Sequence, residues 1–175
     1  MKLITQINFT KSIDKKWLIY KESYYDKFDT LTHILATLAL SYSTYVTFIS
    51  KDKLNENEKF VIYLFIFAST VICFVTFKKL TEKRLKVIET KNTEQENKKQ
   101  LKKLSQEKGW FEFRSNPNTL IFHEDAGDWN KYIKIFLFKD NKIYYTILTE
   151  RFKLNYPTFT ENHSVKKLLE SLSSK

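Results

Sequence analysis

Two uncharged apolar runs separated by only nine residues decide most of what this chain can become. From Thr30 to Ser50 no Asp, Glu, Lys or Arg occurs, and the same holds from Phe60 to Phe77. As helices, at 1.5 Å per residue, they reach about 31 and 27 Å, the thickness of a bilayer's hydrocarbon core. The connection Lys51–Lys59 is charged and too short to hold a domain, so the two helices must return antiparallel. The expectation is a transmembrane hairpin, 30–50 and 60–77. Mean hydropathy over the whole chain is negative, at −0.42, because the remaining residues are strongly polar.

Charge placement orients the hairpin. Residues 1–29 carry six Lys and four acids, the loop 51–59 three Lys and three acids, and 78–108 eleven Lys/Arg and five acids. Basic flanks stay in the cytoplasm, which places both termini inside and the loop outside. Lys78 and Lys79 close the second run as a snorkelling end. About 29 polar and aromatic residues precede the first run, so it does not read as a cleaved signal.

The first run is rich in hydroxyls. Thr32, Ala36, Ala39, Ser43 and Thr47 recur at three- and four-residue spacing, forming a small, polar stripe for helix packing or, in a homo-oligomer, for the lining of a pore. Ala68, Ser69 and Cys73 form the complementary face of the second run. Cys73 is the sole cysteine, so no intrachain disulfide or Cys-based metal site can form; His33, His123 and His163 have no partner spacing.

Four segments follow. Residues 1–29 combine a candidate strand over Lys2–Thr10 with an interfacial helix carrying Ile13, Trp17, Leu18, Tyr20 and Tyr24. Residues 30–77 are the hairpin. Residues 78–108 prolong the second helix through about Val87 and continue as a solvated basic helix or linker, since Glu89–Gln100 contains no apolar residue; its excess charge suits anionic lipid head groups. Gly109 is placed to end that helix. Residues 109–175 form a β-rich domain: WFEFRS (110–115), TLIFHE (119–124), YIKIFLFK (132–139) and KIYYTILTERF (142–152) alternate as strands between turn residues. Val165, Leu168, Leu169 and Leu172 then form the apolar stripe of a closing helix. The fold class expected is an α+β membrane protein, a two-helix hairpin plus an antiparallel sheet domain with a C-terminal helix.

No paired carboxylates, nucleophile constellation or Gly-rich phosphate loop is present, so no enzyme, cofactor or metal centre is expected. The loop acids Glu124, Asp125 and Asp128 read as a solvated turn, with magnesium binding as the sharper alternative. The distinctive surface is basic and aromatic: Lys131, Lys134, Lys142, Arg151 and Lys153 interleaved with Tyr132, Tyr144, Tyr145 and Tyr156. Cations for phosphates beside stacking rings suit a nucleotide, although ordinary strand surface has the same composition. The run 78–108 lacks interleaved aromatics, so no nucleic-acid polymer is expected.

The hairpin followed by a compact β-rich domain resembles the two-transmembrane membrane effectors of bacterial anti-phage systems, those of cyclic-oligonucleotide signalling and type III CRISPR. That resemblance implies a sensor of a cyclic nucleotide or cyclic oligoadenylate in the inner membrane, multi-pass with cytoplasmic termini, whose hairpins oligomerise to depolarise or disrupt the membrane. The N-terminal LITQINFT, the lead-in and hairpin, and the ending LNYPTFTENHSVKKLLESL are similar to the YcxB-like bacterial membrane proteins. That likeness carries no function and leaves a scaffold or partner-binding protein, without small-molecule ligand, as the alternative.

Overall fold

The computed structural model describes residues 4, 6–49, 56–125, 131–150 and 161–173. The chain is α+β, and it divides into two compact units, Ser23–Thr81 and a sheet module made of Met1–Glu22 with Glu82–Lys175.

The first unit is a pair of 26-residue helices, α2 (Tyr24–Ile49) and α3 (Glu56–Thr81), which follow the short α1 (Phe9–Asp14) in chain order. Helix α2 opens on a capping box. Ser23 Oγ accepts from the Asp26 N–H, and the Asp26 carboxylate accepts from the Ser23 N–H, each at 3.2 Å, satisfying amides that a helix start leaves open. Contacts pair Thr37 with Thr76 and Thr44 with Ser69, so residue numbers sum to a constant and the helices run antiparallel. The stretch Lys59–Thr81 of α3 is long and apolar enough to cross a membrane.

The module is built on one five-stranded antiparallel sheet in the order β1-β5-β4-β3-β2. Strands β2 (Phe111–Asn116), β3 (Thr119–Asp125), β4 (Lys131–Lys139) and β5 (Lys142–Glu150) form the expected meander. Strand β1 (Lys86–Glu89) joins at the far edge, pairing Ile88 with Ile143. Helix α4 (Glu94–Glu107) then carries the chain from that edge to the opposite one. The segment 78–108, expected as a prolonged helix and linker, is thus largely part of the module. Helix α3 stops at Thr81, since Leu85 and Ile88 gain more by burial against the sheet than from another helical turn.

The first half of α4, Glu94–Gln100, has no apolar residue and still reaches the core. Thr93 and Glu96 form a reciprocal capping box. Asn97, 2 % exposed, donates to Thr90 Oγ1 at 2.7 Å and to the Asn92 carbonyl, so its burial leaves no open donor. At the other end Gly109 takes φ +69°, and the Trp110 and Gly109 amides return to the Ser105 and Gln106 carbonyls, a Schellman closure that glycine makes without strain.

Both sheet faces are covered. On one, Leu101 of α4 and Val165 and Leu169 of α5 (Glu161–Ser173) pack over Trp110, Phe122, Phe136, Phe138 and Tyr145. On the other, Ile4, Ile13, Leu18, Tyr20 and Leu85 cover Ile121, Ile133, Ile135, Leu137 and Leu148. The N-terminal region is therefore a cover layer. Where a strand was expected over Lys2–Thr10, Ile7 makes one isolated bridge to Tyr20, and α1 begins at Phe9 with Asn8 accepting from the Lys11 amide; Lys2, Leu3 and Thr5 lie outside the described residues. The expected interfacial helix is broken at Lys16, whose φ of +49° turns the chain into an extended stretch that buries Leu18 and Tyr20.

Two measurements test this packing. Thr93→Ala removes one half of the box and is expected to cost about 1 kcal/mol in chemical unfolding. Burial, with Glu170 second, raises the Tyr145 phenol to about 12 from 10.0. The neutral form is therefore favoured in the fold, so its contribution is intact below pH 10 and is lost as pH rises from 10 toward about 12. Tyr145 Oη also lacks a hydrogen-bond partner among the described residues. Tyr145→Phe is expected to flatten that alkaline decline and to leave neutral-pH stability unchanged or raised by up to about 1 kcal/mol.

Candidate functional site

The basic and aromatic strand residues expected to bind a ligand point in different directions. Lys131 and Lys142 lie at opposite ends of paired strands, Lys131 opposite Glu150 and Lys142 opposite Lys139, roughly 27 Å apart at strand rise. Lys142 pairs with Glu89 at 2.8 Å; that hydrogen bond and charge hold the Glu89 carboxyl below its usual range and raise the Lys142 ammonium. Tyr144 packs, partly buried, on the N-terminal cover side, while Tyr132 and Tyr145 face α5. Arg151, Lys153 and Tyr156 lie outside the described residues. The described members therefore do not form one site.

Lys134 is the clearest departure from expectation. The sequence predicts a surface cation there, yet Lys134 is fully buried in the centre of β4, between Phe122 and Ile147 in register. Its ammonium meets Glu124 and Glu161, each at 2.5 Å, and sits 3.8 Å from the centroid of the Trp110 ring. Trp110 Nε1 donates to the same Glu124 at 3.2 Å. A charge moved out of water must be paired to persist, and this one is paired twice. The cluster ties α5 to the sheet through Glu161. The signal was present in YIKIFLFK, where one lysine interrupts a strand too apolar to have a wet face. Glu124 is consequently occupied, Asp128 lies outside the described residues, and no group of three metal-ligating side chains occurs among the described residues. His123 stacks on Phe113 at 4.5 Å, a packing role. Lys134→Ala should strand two carboxylates and lower stability by about 3–5 kcal/mol in urea unfolding; a loss under 1 kcal/mol would contradict a structural role for the cluster.

Within the module a cleft of about 430 Å³ lies between the N-terminal cover and the β2–β3 turn. Ile121 and Thr119 form its buried floor, and Ile7 and Phe9 one wall. Arg114, Gln6, Asn116 and Asn118 supply a guanidinium and three carboxamides, and among the described residues no acid lines it. Lys98 of α4 donates to the Asn116 carbonyl at 2.6 Å and fixes the turn from behind. Such a lining offers a cation, paired donors and acceptors, and a ring face: the groups that hold a small anionic ligand with a planar, hydrogen-bonding portion. Sequence reasoning missed it because Gln6 and Arg114 are more than a hundred residues apart.

In the helix pair, α3 meets a row of α2 other than Thr32, Ala36, Ser43 and Thr47. Thr32, Ser43 and Thr47 turn their hydroxyls back to the Phe28, Ala39 and Ser43 carbonyls, and Ala36 and Ser43 are exposed. The contact instead uses the adjacent row, with Thr37 on Thr76 and Thr44 on Ser69, each at 2.7 Å, and Ser41 beside Cys73. A hydroxyl-rich helix offers two such rows, and α3 decides between them because its own hydroxyls stand at 69 and 76. Lys79, expected to snorkel, is buried and paired with Asp29 at 2.9 Å, with His33 beside the same carboxylate. No protein-family model matches the chain, and neither a curated protein nor a solved structure does so.

Proposed function

We propose that this chain is a non-enzymatic membrane effector. Its helix pair is a two-span hairpin in the bacterial inner membrane, both termini lie in the cytoplasm, and the sheet module senses a small anionic ligand. The observation that carries the membrane reading is that the helix pair is inside out. Leu35, Leu38, Tyr42, Tyr45, Phe48, Phe60, Tyr63, Phe67, Phe74 and Phe77 are exposed, while the hydroxyl pairs and the Asp29–Lys79 ion pair lie between the helices. In water such an exterior drives aggregation; in lipid it is the expected arrangement. The hydroxyls that lower the hydropathy of α2 return to carbonyls one turn back, which removes most of the cost of placing them in hydrocarbon. At 26 residues each helix is about 39 Å long, enough to span with tilt.

The sensing step is assigned to the cleft at Arg114. The resemblance to two-transmembrane anti-phage effectors supplies the ligand class, a cyclic nucleotide or cyclic oligoadenylate, and the response, in which hairpins oligomerise and the exposed row at Thr32, Ala36, Ser43 and Thr47 packs between copies or lines a pore. Ligand binding drives such a change only by favouring one arrangement over the other. A ligand at a hundredfold its Kd adds about 2.7 kcal/mol, a shift of several degrees in a domain this size. The expected result is that at least one cyclic di-, tri- or tetranucleotide raises the melting temperature of the detergent-solubilised protein, and that Arg114→Ala abolishes the rise. No shift across the panel would remove the sensor reading. One observation favours a scaffold without a small-molecule ligand: Lys134 and Lys142 are already engaged inside the module. A stoichiometric protein partner in purified membranes, together with a flat panel, would establish that alternative.

A further inference from the structure

Both connections between the sheet module and the helix pair pass through one short ribbon. The Leu18 amide donates to the Lys83 carbonyl at 2.8 Å, the Leu85 amide to the Lys16 carbonyl at 3.0 Å, and Trp17 bridges to Arg84. The left-handed residue Lys16 turns the chain from α1 into this ribbon. Its inner side chains, Leu18 and Leu85, are buried in the module core. In and beside it Lys15, Lys16, Lys21 and Arg84 are exposed, and Trp17 is half-buried.

The local charge is lopsided. Residues 14–22 and 82–86 together hold six basic and three acidic residues. Of the acids, Glu22 is occupied by Lys83 at 2.7 Å, and Glu82 is half-buried. Asp14 is the fully exposed acid of the three. Lys21 stands two residues before Ser23, the cap of α2, and Arg84 three residues after Thr81, the end of α3. Three extended residues span at most about 10 Å, so the chain itself holds these cations within reach of a bilayer surface.

We propose that this ribbon is a docking surface for anionic phospholipid head groups, with Lys15, Lys16, Lys21 and Arg84 meeting phosphates and Trp17 seated at the head-group level. The inference rests on the membrane reading above. Cations at the surface of an anionic leaflet gain from its potential, and an indole suits the interface. Because the ribbon is hydrogen-bonded across both connections, head groups gripping it would also fix the two chain crossings together, coupling lipid composition to the module.

The test uses the full chain in nanodiscs of mixed phosphatidylcholine and phosphatidylglycerol, with the lipids retained on release counted by native mass spectrometry. The wild type is expected to retain phosphatidylglycerol preferentially. The variant Lys15→Gln/Lys16→Gln/Lys21→Gln/Arg84→Gln should lose that preference by about tenfold or more. A control, Lys99→Gln/Lys103→Gln, removes exposed charges from α4 and should keep it. Circular dichroism and melting in detergent verify that each variant folds. Equal preference in wild type and the fourfold variant, or equal loss in the α4 control, overturns the proposal. Release of the wild type from membranes by alkaline carbonate would instead overturn the membrane reading itself, so the two failures are separable.

Discussion

Strand β4 is buried on both faces, and the rest of the architecture follows from that. Phe136 and Phe138 face α4 and α5, while Ile133, Ile135 and Leu137 face the N-terminal residues. A strand with no wet face needs two cover layers. One is supplied by α4 and α5; the other comes from both sides of the helix pair, Ile4 to Tyr20 before it and Leu85 after it. The sheet can close only if the 59 intervening residues return to where they left, which an antiparallel helix pair does and a single long helix could not.

Burial of charge obeys the same demand in both units. Lys134 is enclosed by two carboxylates and an indole, and Lys79 by Asp29 with His33 adjacent. Each lysine sits where an apolar residue would pack with less risk, since one lost partner strands a charge. What the polar residue adds is direction: Glu161 can satisfy Lys134 only if α5 docks in one register, and Asp29 can satisfy Lys79 only if α2 and α3 align in one. The hydroxyl pairs Thr37–Thr76 and Thr44–Ser69 reinforce that alignment along the helices. Buried polar groups of this kind specify an arrangement more than they stabilise it.

The two units solve opposite problems. The module hides aromatic and aliphatic residues and exposes lysines and glutamates, as a protein in water does. The helix pair hides hydroxyls and an ion pair and exposes leucine, phenylalanine and tyrosine. Within that pair the stretch Lys59–Thr81 is long and apolar enough to cross a membrane. The cleft at Arg114 lies in the sheet module and is lined by groups from both the N-terminal cover and the sheet.

Elements whose pattern is local are legible in neighbouring residues: the apolar runs of α2 and α3, the four alternating segments of β2 to β5, the glycine that closes α4, and the stripe of Val165 and Leu169. Periodicity and turn chemistry are written in neighbouring residues, so they can be read without the fold. Tertiary structure alone decided that Lys86–Glu89 is a strand, that the N-terminal segment is a cover layer, that Lys134 is interior, and which hydroxyl row of α2 meets α3. Each of these depends on a partner far away in sequence, such as Ile143 for Ile88, Glu161 for Lys134, or Thr76 for Thr37. The burial of Lys134 has the same cause, because alternation states which side chains share a face but not whether another part of the chain will cover it.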